Sequence, residues 1–355
     1  MQVWRIARFT ILGLVILILA AAGSALVYRV YRHHQLAKAT AIDRAKGVDE
    51  SFFAKIGGID QWIGVRGQDR ANPILLVLHP GPGQAHSAFP RDFLFNWTRS
   101  FTVVLWDQRG AGKTFTRSGP LDASVTIDRM ALDGIEVADV VRARLHQPRV
   151  VLLGHSWGSM LGVRMIKARP DLFSAYVGTG QVVNPGKADA VVYAQLLQEA
   201  RGKSDDRALA ELSALGPPPY DSPSKSDVLA KWSAIYEPGE LSTWDLLSLT
   251  LFDTEAGPFE LRDYFRGIAS SVEHFSDVID KEDLPSLGTD LSIPFFVFQG
   301  AVDHVTPVAL VKAYVDSLKA PRKELVLIPN AGHNVLSLRS DEFLKLLVER
   351  LRPIV

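Results

Sequence analysis

The apolar residues of this chain fall into two kinds of pattern. From Phe9 to Val27 every residue is apolar, small or uncharged, with Arg5 and Arg8 before the run and Arg29, Arg32 and Lys38 after it. A helix needs about 20 such residues to cross a bilayer, so this run predicts a membrane-spanning helix. A cleavable signal peptide is the alternative, with Ala20-Ala21-Ala22 or Gly23-Ser24-Ala25 as the small-residue site. The basic residues are nearly balanced across the run, so charge sets no orientation.

Further on, short and continuously apolar runs recur: Ile74–Leu78, Phe101–Trp106, Val150–Leu153, Phe295–Phe298 and Leu325–Ile328. Runs of this length with no alternation are expected of strands buried on both faces of a parallel sheet. Helix-length stretches such as Asp128 to Leu145 and Ser159 to Ala168 lie between them. Strand alternating with helix predicts an α/β fold. Ahead of these, Ile56-Gly57-Gly58-Ile59 suggests two antiparallel strands around a Gly-Gly turn.

The alternation lapses between Val183 and Leu291. That stretch carries Gly216-Pro217-Pro218-Pro219, which stops any helix, and aromatic-rich helical pieces. It reads as a helical cap inserted into the sheet domain. The expected organisation is an anchor or signal segment over 1–30 and a juxtamembrane spacer over 31–50. The sheet domain follows over 51–182 and 292–355, with the cap over 183–291.

Composition narrows the class. Lys+Arg and Asp+Glu balance at 39 each, which gives no footprint for nucleic acid. With no cysteine, disulfides, thiolate metal sites and a cysteine nucleophile are excluded. No metal-spaced His/Asp/Glu cluster stands out, and no cofactor is expected. Nothing in the sequence sets an oligomeric state.

The chemistry concentrates at Gly154-His155-Ser156-Trp157-Gly158, a G-x-S-x-G pentapeptide between a strand and a helix. In that context it is a nucleophile elbow, with Ser156 as nucleophile. A serine hydroxyl needs a base. Of nine histidines, His333 follows the last strand through Pro329-Asn330-Ala331-Gly332 and is the candidate. Asp303 follows the strand Phe295–Phe298 through Gln299-Gly300-Ala301-Val302 and is the candidate acid, giving the chain order Ser, Asp, His. Asp283 and Asp290 precede the strand and would face the wrong edge. An oxyanion hole needs two aimed N–H donors. Trp157 supplies one; Gly81, in His79-Pro80-Gly81-Pro82-Gly83, is the best second, because the prolines cannot donate.

His79–Gly83, Trp106-Asp107-Gln108-Arg109-Gly110, Gly154–Ser159, Asp303–Pro307 and Gly332-His333 together resemble the proline iminopeptidase branch of the α/β hydrolases, over about residues 52 to 350. The resemblance implies an α/β-hydrolase fold with a helical cap, and removal of an N-terminal residue from short peptides or amides. It implies that Asp107 to Gly112 is structural. Two positions depart from the family pattern: Pro80 stands where the first loop glycine would be, and His304 where some members carry a glutamate. Trp232-Ser233-Ala234-Ile235-Tyr236-Glu237 is similar to the family's cap motif, which makes Glu237 the candidate anchor for the substrate's ammonium. The expected partners are a small-molecule or short-peptide substrate and a membrane reached through the N-terminal helix, with the catalytic domain on the extracytoplasmic side; signal cleavage would leave a secreted or periplasmic protein. An esterase, lactonase or C–C hydrolase with the same triad is the alternative reading, and a non-catalytic scaffold a more distant one.

Overall fold

A computed structural model describes residues 2–220, 222–239, 244, 248–254 and 256–354. Eight strands form one sheet in the order β1-β2-β4-β3-β5-β6-β7-β8. β1 (Val48–Ile56) and β2 (Ile59–Gly67) make the antiparallel hairpin around Gly57-Gly58, and β2 pairs antiparallel with β4 (Thr102–Trp106). From β4 onward through β3 (Ile74–Leu78), β5 (Val150–His155), β6 (Phe173–Thr179), β7 (Phe295–Gly300) and β8 (Lys323–Ile328) every pairing is parallel.

The two faces of the sheet account for the continuous apolar runs. Ile74, Leu76 and Leu78 join one buried cluster, while Leu75 and Val77 join the other. The first cluster includes α3 (Ile127–Arg144) and α4 (Trp157–Ala168), the helix after the elbow. The second is closed by Trp97, Phe101 and Phe343, with Trp97 stacked on Phe343 at 5.6 Å. A strand with both faces covered has no position left for a polar residue.

β6 escaped sequence reading. Its run, FSAYVGT, is broken by Ser174 and Gly178, although its last five residues are buried. Most of the polar stretch after the apolar run is helical. α1 (Gln2–Ala39) is one uninterrupted helix that carries the apolar run and most of the spacer, and β1 begins at Val48. Residues of good helix propensity, such as Gln35, Leu36, Ala37 and Lys38, extend it.

Between β6 and β7 the chain leaves the sheet. It forms α5 (Pro185–Lys203), α6 (Asp206–Leu215), α7 (Pro223–Tyr236), a π-helical turn (Leu249–Asp253) and α8 (Pro258–Ile279). Helices α5 to α7 share a small core of their own, including Leu196, Leu212, Trp232 and Tyr236. α2 (Gly112–Ser118) packs against β2 and α8.

Candidate active site

β5 delivers Ser156 at its carboxyl end. The turn into α4 is so tight that Ser156 adopts φ 52°, ψ −120°. A non-glycine residue there is strained by about 1–3 kcal/mol, and the surrounding backbone must hold it. The Ser156 N–H donates to the Thr179 carbonyl at 3.0 Å, and the Ser156 carbonyl accepts from the Ser159 N–H at 2.7 Å. A Cβ on Gly154 would lie 2.7 Å from the Gly158 carbonyl oxygen, and one on Gly158 would collide with Leu78 backbone. Both glycines are therefore required by close approach.

The three residues singled out by chain order meet. His333 Nε2 lies 3.0 Å from Ser156 Oγ, and His333 Nδ1 lies 3.0 Å from Asp303 Oδ2. Asp303 is fully engaged. It accepts from the Val305 and Thr306 N–H groups (2.9 and 2.7 Å), the Thr306 hydroxyl (2.7 Å) and Gln299 Nε2 (2.6 Å). Burial would push the Asp303 carboxyl up, but the His333 ring and these donors outweigh it and hold it below the usual range. Burial likewise would lower the His333 ring; the Asp303 charge and hydrogen bond, helped by Glu237, leave it above its ordinary 6.5. Both shifts favour an imidazolium–carboxylate pair.

His155 is buried beside His333, their rings 5.4 Å apart, and its Nε2 faces the His333 carbonyl at 3.2 Å. Burial pushes its pKa down to about 3, so it stays neutral and donates that bond. His79 is neutral too, lowered to about 4 by burial, and its Nδ1 sits 2.8 Å from the Pro80 carbonyl.

Two glutamines hold the parts together: Gln108, expected only as part of a structural loop, and Gln299, for which no role was expected. Gln108 accepts from Trp157 Nε1 at 2.8 Å, while its backbone N–H donates to His79 Nε2 at 3.3 Å. It thus ties the elbow to the loop carrying Gly81. Gln299 accepts from the Gln181 N–H at 3.1 Å and donates to Asp303. Gln108 belongs to the Trp106–Gly110 motif that carries the family resemblance; the signal for Gln299 is only a polar residue at the end of an apolar strand.

Asp107 accepts from the Lys113 N–H at 2.7 Å and from Ser87, and Arg109 pairs with buried Asp133 at 2.9 Å. These bonds fix the Asp107–Gly112 loop.

Gly81, Ser156 and Trp157 line one cavity of about 410 Å³, walled on one side by sheet-domain residues such as Met160, Thr306 and Leu310 and on the other by the helical insertion, which contributes Asp189, Tyr220 and Asp280. Burial, and then the Asp280 charge, raises the Asp189 carboxyl. Glu237 is not on that wall. It caps the end of α7 and accepts the His333 backbone N–H from behind. Burial raises its carboxyl above the ordinary 4.5. His304, next to Asp303, reaches Glu199 of α5 with Nε2 at 2.7 Å and so joins core to insertion. Among the described residues no cluster of His, Asp and Glu could hold a metal.

The family model for the α/β-hydrolase fold matches residues 73–339. This chain belongs to the α/β hydrolases. Within them it falls in the proline iminopeptidase-like branch. It is 29% identical over 286 residues to the "Probable aminopeptidase YbaC" of Bacillus subtilis (strain 168), covering 78% of this chain and 88% of that one. It is 25% identical over 279 residues to a "Probable proline iminopeptidase" of Streptomyces coelicolor, covering 73% and 82%. Among solved structures, a proline iminopeptidase-related protein of Thermus thermophilus superposes with a TM-score of 0.56 at 21% identity, covering 87% of this chain and 99% of that one. A membrane phospholipase A superposes with a TM-score of 0.58 at 18% identity over 98% of this chain and 99% of that one, a span that takes in α1. These likenesses in three dimensions show a shared fold. The chain is a hydrolase.

Proposed function

We propose that the chain is a serine aminopeptidase that releases an N-terminal residue from short peptides or amides through an acyl-enzyme. The hydrogen-bonded line from Ser156 Oγ to His333 Nε2 and from Nδ1 to Asp303, 3.0 Å at each step, carries the reading. His333 takes the hydroxyl proton as Ser156 Oγ attacks the scissile carbonyl carbon. The oxyanion forms against the N–H groups of Gly81 and Trp157. His333 then gives its proton to the leaving amine. In the second half a water loses its proton to His333 and attacks the acyl carbonyl, and the ester bond to Ser156 breaks as Oγ recovers its proton.

An aminopeptidase must pair the substrate's ammonium with carboxylate. Asp189 and Asp280 line the cavity and offer that carboxylate, and Glu237, behind His333 and off the cavity wall, adds negative charge to the same end of the site. The relatives named as aminopeptidases support this choice among acyl-transfer chemistries. α1, long and apolar enough to cross a membrane, is an uncleaved anchor in this reading.

A fluorophosphonate probe and two substrates test it. The probe labels Ser156, and proline-β-naphthylamide turns over with a higher kcat/KM than p-nitrophenyl acetate. A strong ester preference that Glu237→Gln leaves unchanged overturns the peptidase reading and favours an esterase with the same triad; absence of labelling overturns the serine chemistry itself.

A further inference from the structure

α1 does not hang free of the hydrolase domain. At the end of its apolar run Arg29 donates to the carbonyls of Thr254 and Ala256, at 3.0 and 2.7 Å, and to that of Leu251. Arg32 makes a two-pronged pair with Asp253, at 2.7 and 3.0 Å, and Tyr28 packs edge-on against Phe252 at 5.1 Å. The helix therefore grips the insertion, on the turn Leu249–Asp253 and the residues leading into α8. None of the apolar run before this grip is buried. Phe9 to Val27 rises about 28 Å as a helix, close to the roughly 30 Å of a bilayer's hydrocarbon. With that run in the hydrocarbon, its edge falls at Tyr28, and Phe252 and Leu251 sit at the same level.

Apolar side chains are exposed there. Leu251 is 45% exposed. Phe259, three residues after the carbonyl that Arg29 holds, is 75% exposed. Three residues reach at most about 10 Å, so Phe259 stays within the depth of the interfacial layer or its border. Its place on α8 sharpens the point. Asp263, Gly267, Ser271 and Phe275 form the buried stripe of that helix at every fourth position. Phe259 continues the stripe by one step, beyond the edge of the protein core.

We propose that this edge of the insertion is seated in the lipid headgroup layer, with Phe259 and Leu251 as its apolar anchors and the bilayer as the missing partner of the α8 stripe. The proposal rests on α1 being a membrane anchor. Its consequence reaches the active site: α8 backs onto the loop that carries Gly81, since a Cβ on Gly83 would lie 2.8 Å from Ile268 Cα. The element that touches lipid is then also the element behind that loop.

The absence of cysteine makes the test direct. Single variants Leu17→Cys, Leu251→Cys, Phe259→Cys and Asp171→Cys of the full chain are spin-labelled and reconstituted in vesicles of phosphatidylethanolamine and phosphatidylglycerol. Asp171 precedes β6 at the amino edge of the sheet and serves as the aqueous reference. Retained turnover of a soluble substrate shows that each variant is folded. Labels at 17, 251 and 259 are expected to collide preferentially with oxygen, and the collision rate of 251 and 259 with a water-soluble nickel chelate to fall several-fold below that at 171. Lipid exposure at 17 with aqueous behaviour at both 251 and 259 overturns the seating alone. Aqueous behaviour at 17 overturns the anchor reading, and the seating with it.

Discussion

The sheet and the helical insertion are built on different physical terms. In the sheet, β3, β5 and β7 are buried along their whole length, packed between two large apolar clusters. Helices α5 to α7 of the insertion have a separate small core, and polar contacts link them to the sheet domain: His304 to Glu199 and Glu237 to the His333 N–H; α8 instead packs Phe275 on Trp157 within the sheet's own apolar cluster. Burial of that extent makes the sheet's strand ends the most rigid places available for a reactive constellation. Each polar link is worth only about 1 kcal/mol. Helices α5 to α7 can therefore adjust to substrate without disturbing the triad, and changes there and in the sheet should have separable effects.

The largest effect belongs to the sheet. Ser156→Ala is expected to lower kcat on the order of 10⁶-fold, and Asp303→Asn about 10⁴-fold, as in other hydroxyl–imidazole–carboxylate systems. Asn at 303 would turn an amide N–H toward donors that now meet carboxylate oxygen. Stability should separate two serine variants. Because φ at 156 is 52°, Ser156→Gly relieves strain that Ser156→Ala keeps, and it should be more stable by about 1 kcal/mol, with a correspondingly higher denaturant midpoint. Equal midpoints would mean the elbow is not strained. Steady-state kinetics and urea titration give the two readings.

A smaller effect is expected where the regions meet at Glu237. The base must be neutral to take the serine proton, so kcat/KM rises with pH through the His333 pKa, which lies above 6.5, and is lost as pH falls below it. The Glu237 charge helps to keep that value up. Glu237→Gln removes it, so the inflection moves to lower pH for every substrate. If Glu237 also holds the ammonium, KM for proline amides rises roughly tenfold while KM for a neutral ester stays level. A shifted profile with unchanged KM for both would leave Glu237 as a positioning residue only.

The same division explains what could be read from residue order. The strands β3, β4, β5 and β7 were legible because burial on both faces leaves them mostly apolar, and β8, a part-exposed edge strand, because Leu325–Ile328 is an apolar run all the same. β6 was not, because Ser174 and Gly178 interrupt its run while neighbouring strands supply the packing. Ser156, Asp303 and His333 were legible because strand order fixes which loops share the carboxyl edge of the sheet. Gln299, Asp189 and Asp280, and the bond that Gln108 makes to Trp157, were invisible for the converse reason. Their partners come from distant segments, and no spacing rule relates a position on α5, or one just past α8, to the loop holding Ser156.

The smallest effect should come from the latch between His304 and Glu199. The ring is buried, its Nε2 is 2.7 Å from Glu199, and its Nδ1 faces the Ser233 carbonyl at 3.4 Å, so one residue of the Asp303 loop touches both α5 and α7. Glu199 is 28% exposed, and water screens the pair. Removing either partner should loosen the insertion by about 1 kcal/mol without moving Asp303, whose own hydrogen-bond partners lie on the sheet side. His304→Gln and Glu199→Gln should therefore each raise KM a few-fold at constant kcat. Because both delete the same contact, the double variant should be no worse than the poorer single one. Additive losses would mean that the two side chains act separately. A fall in kcat at His304→Gln would mean that the insertion does transmit strain to the triad, and the separation between the two regions would fail at that residue.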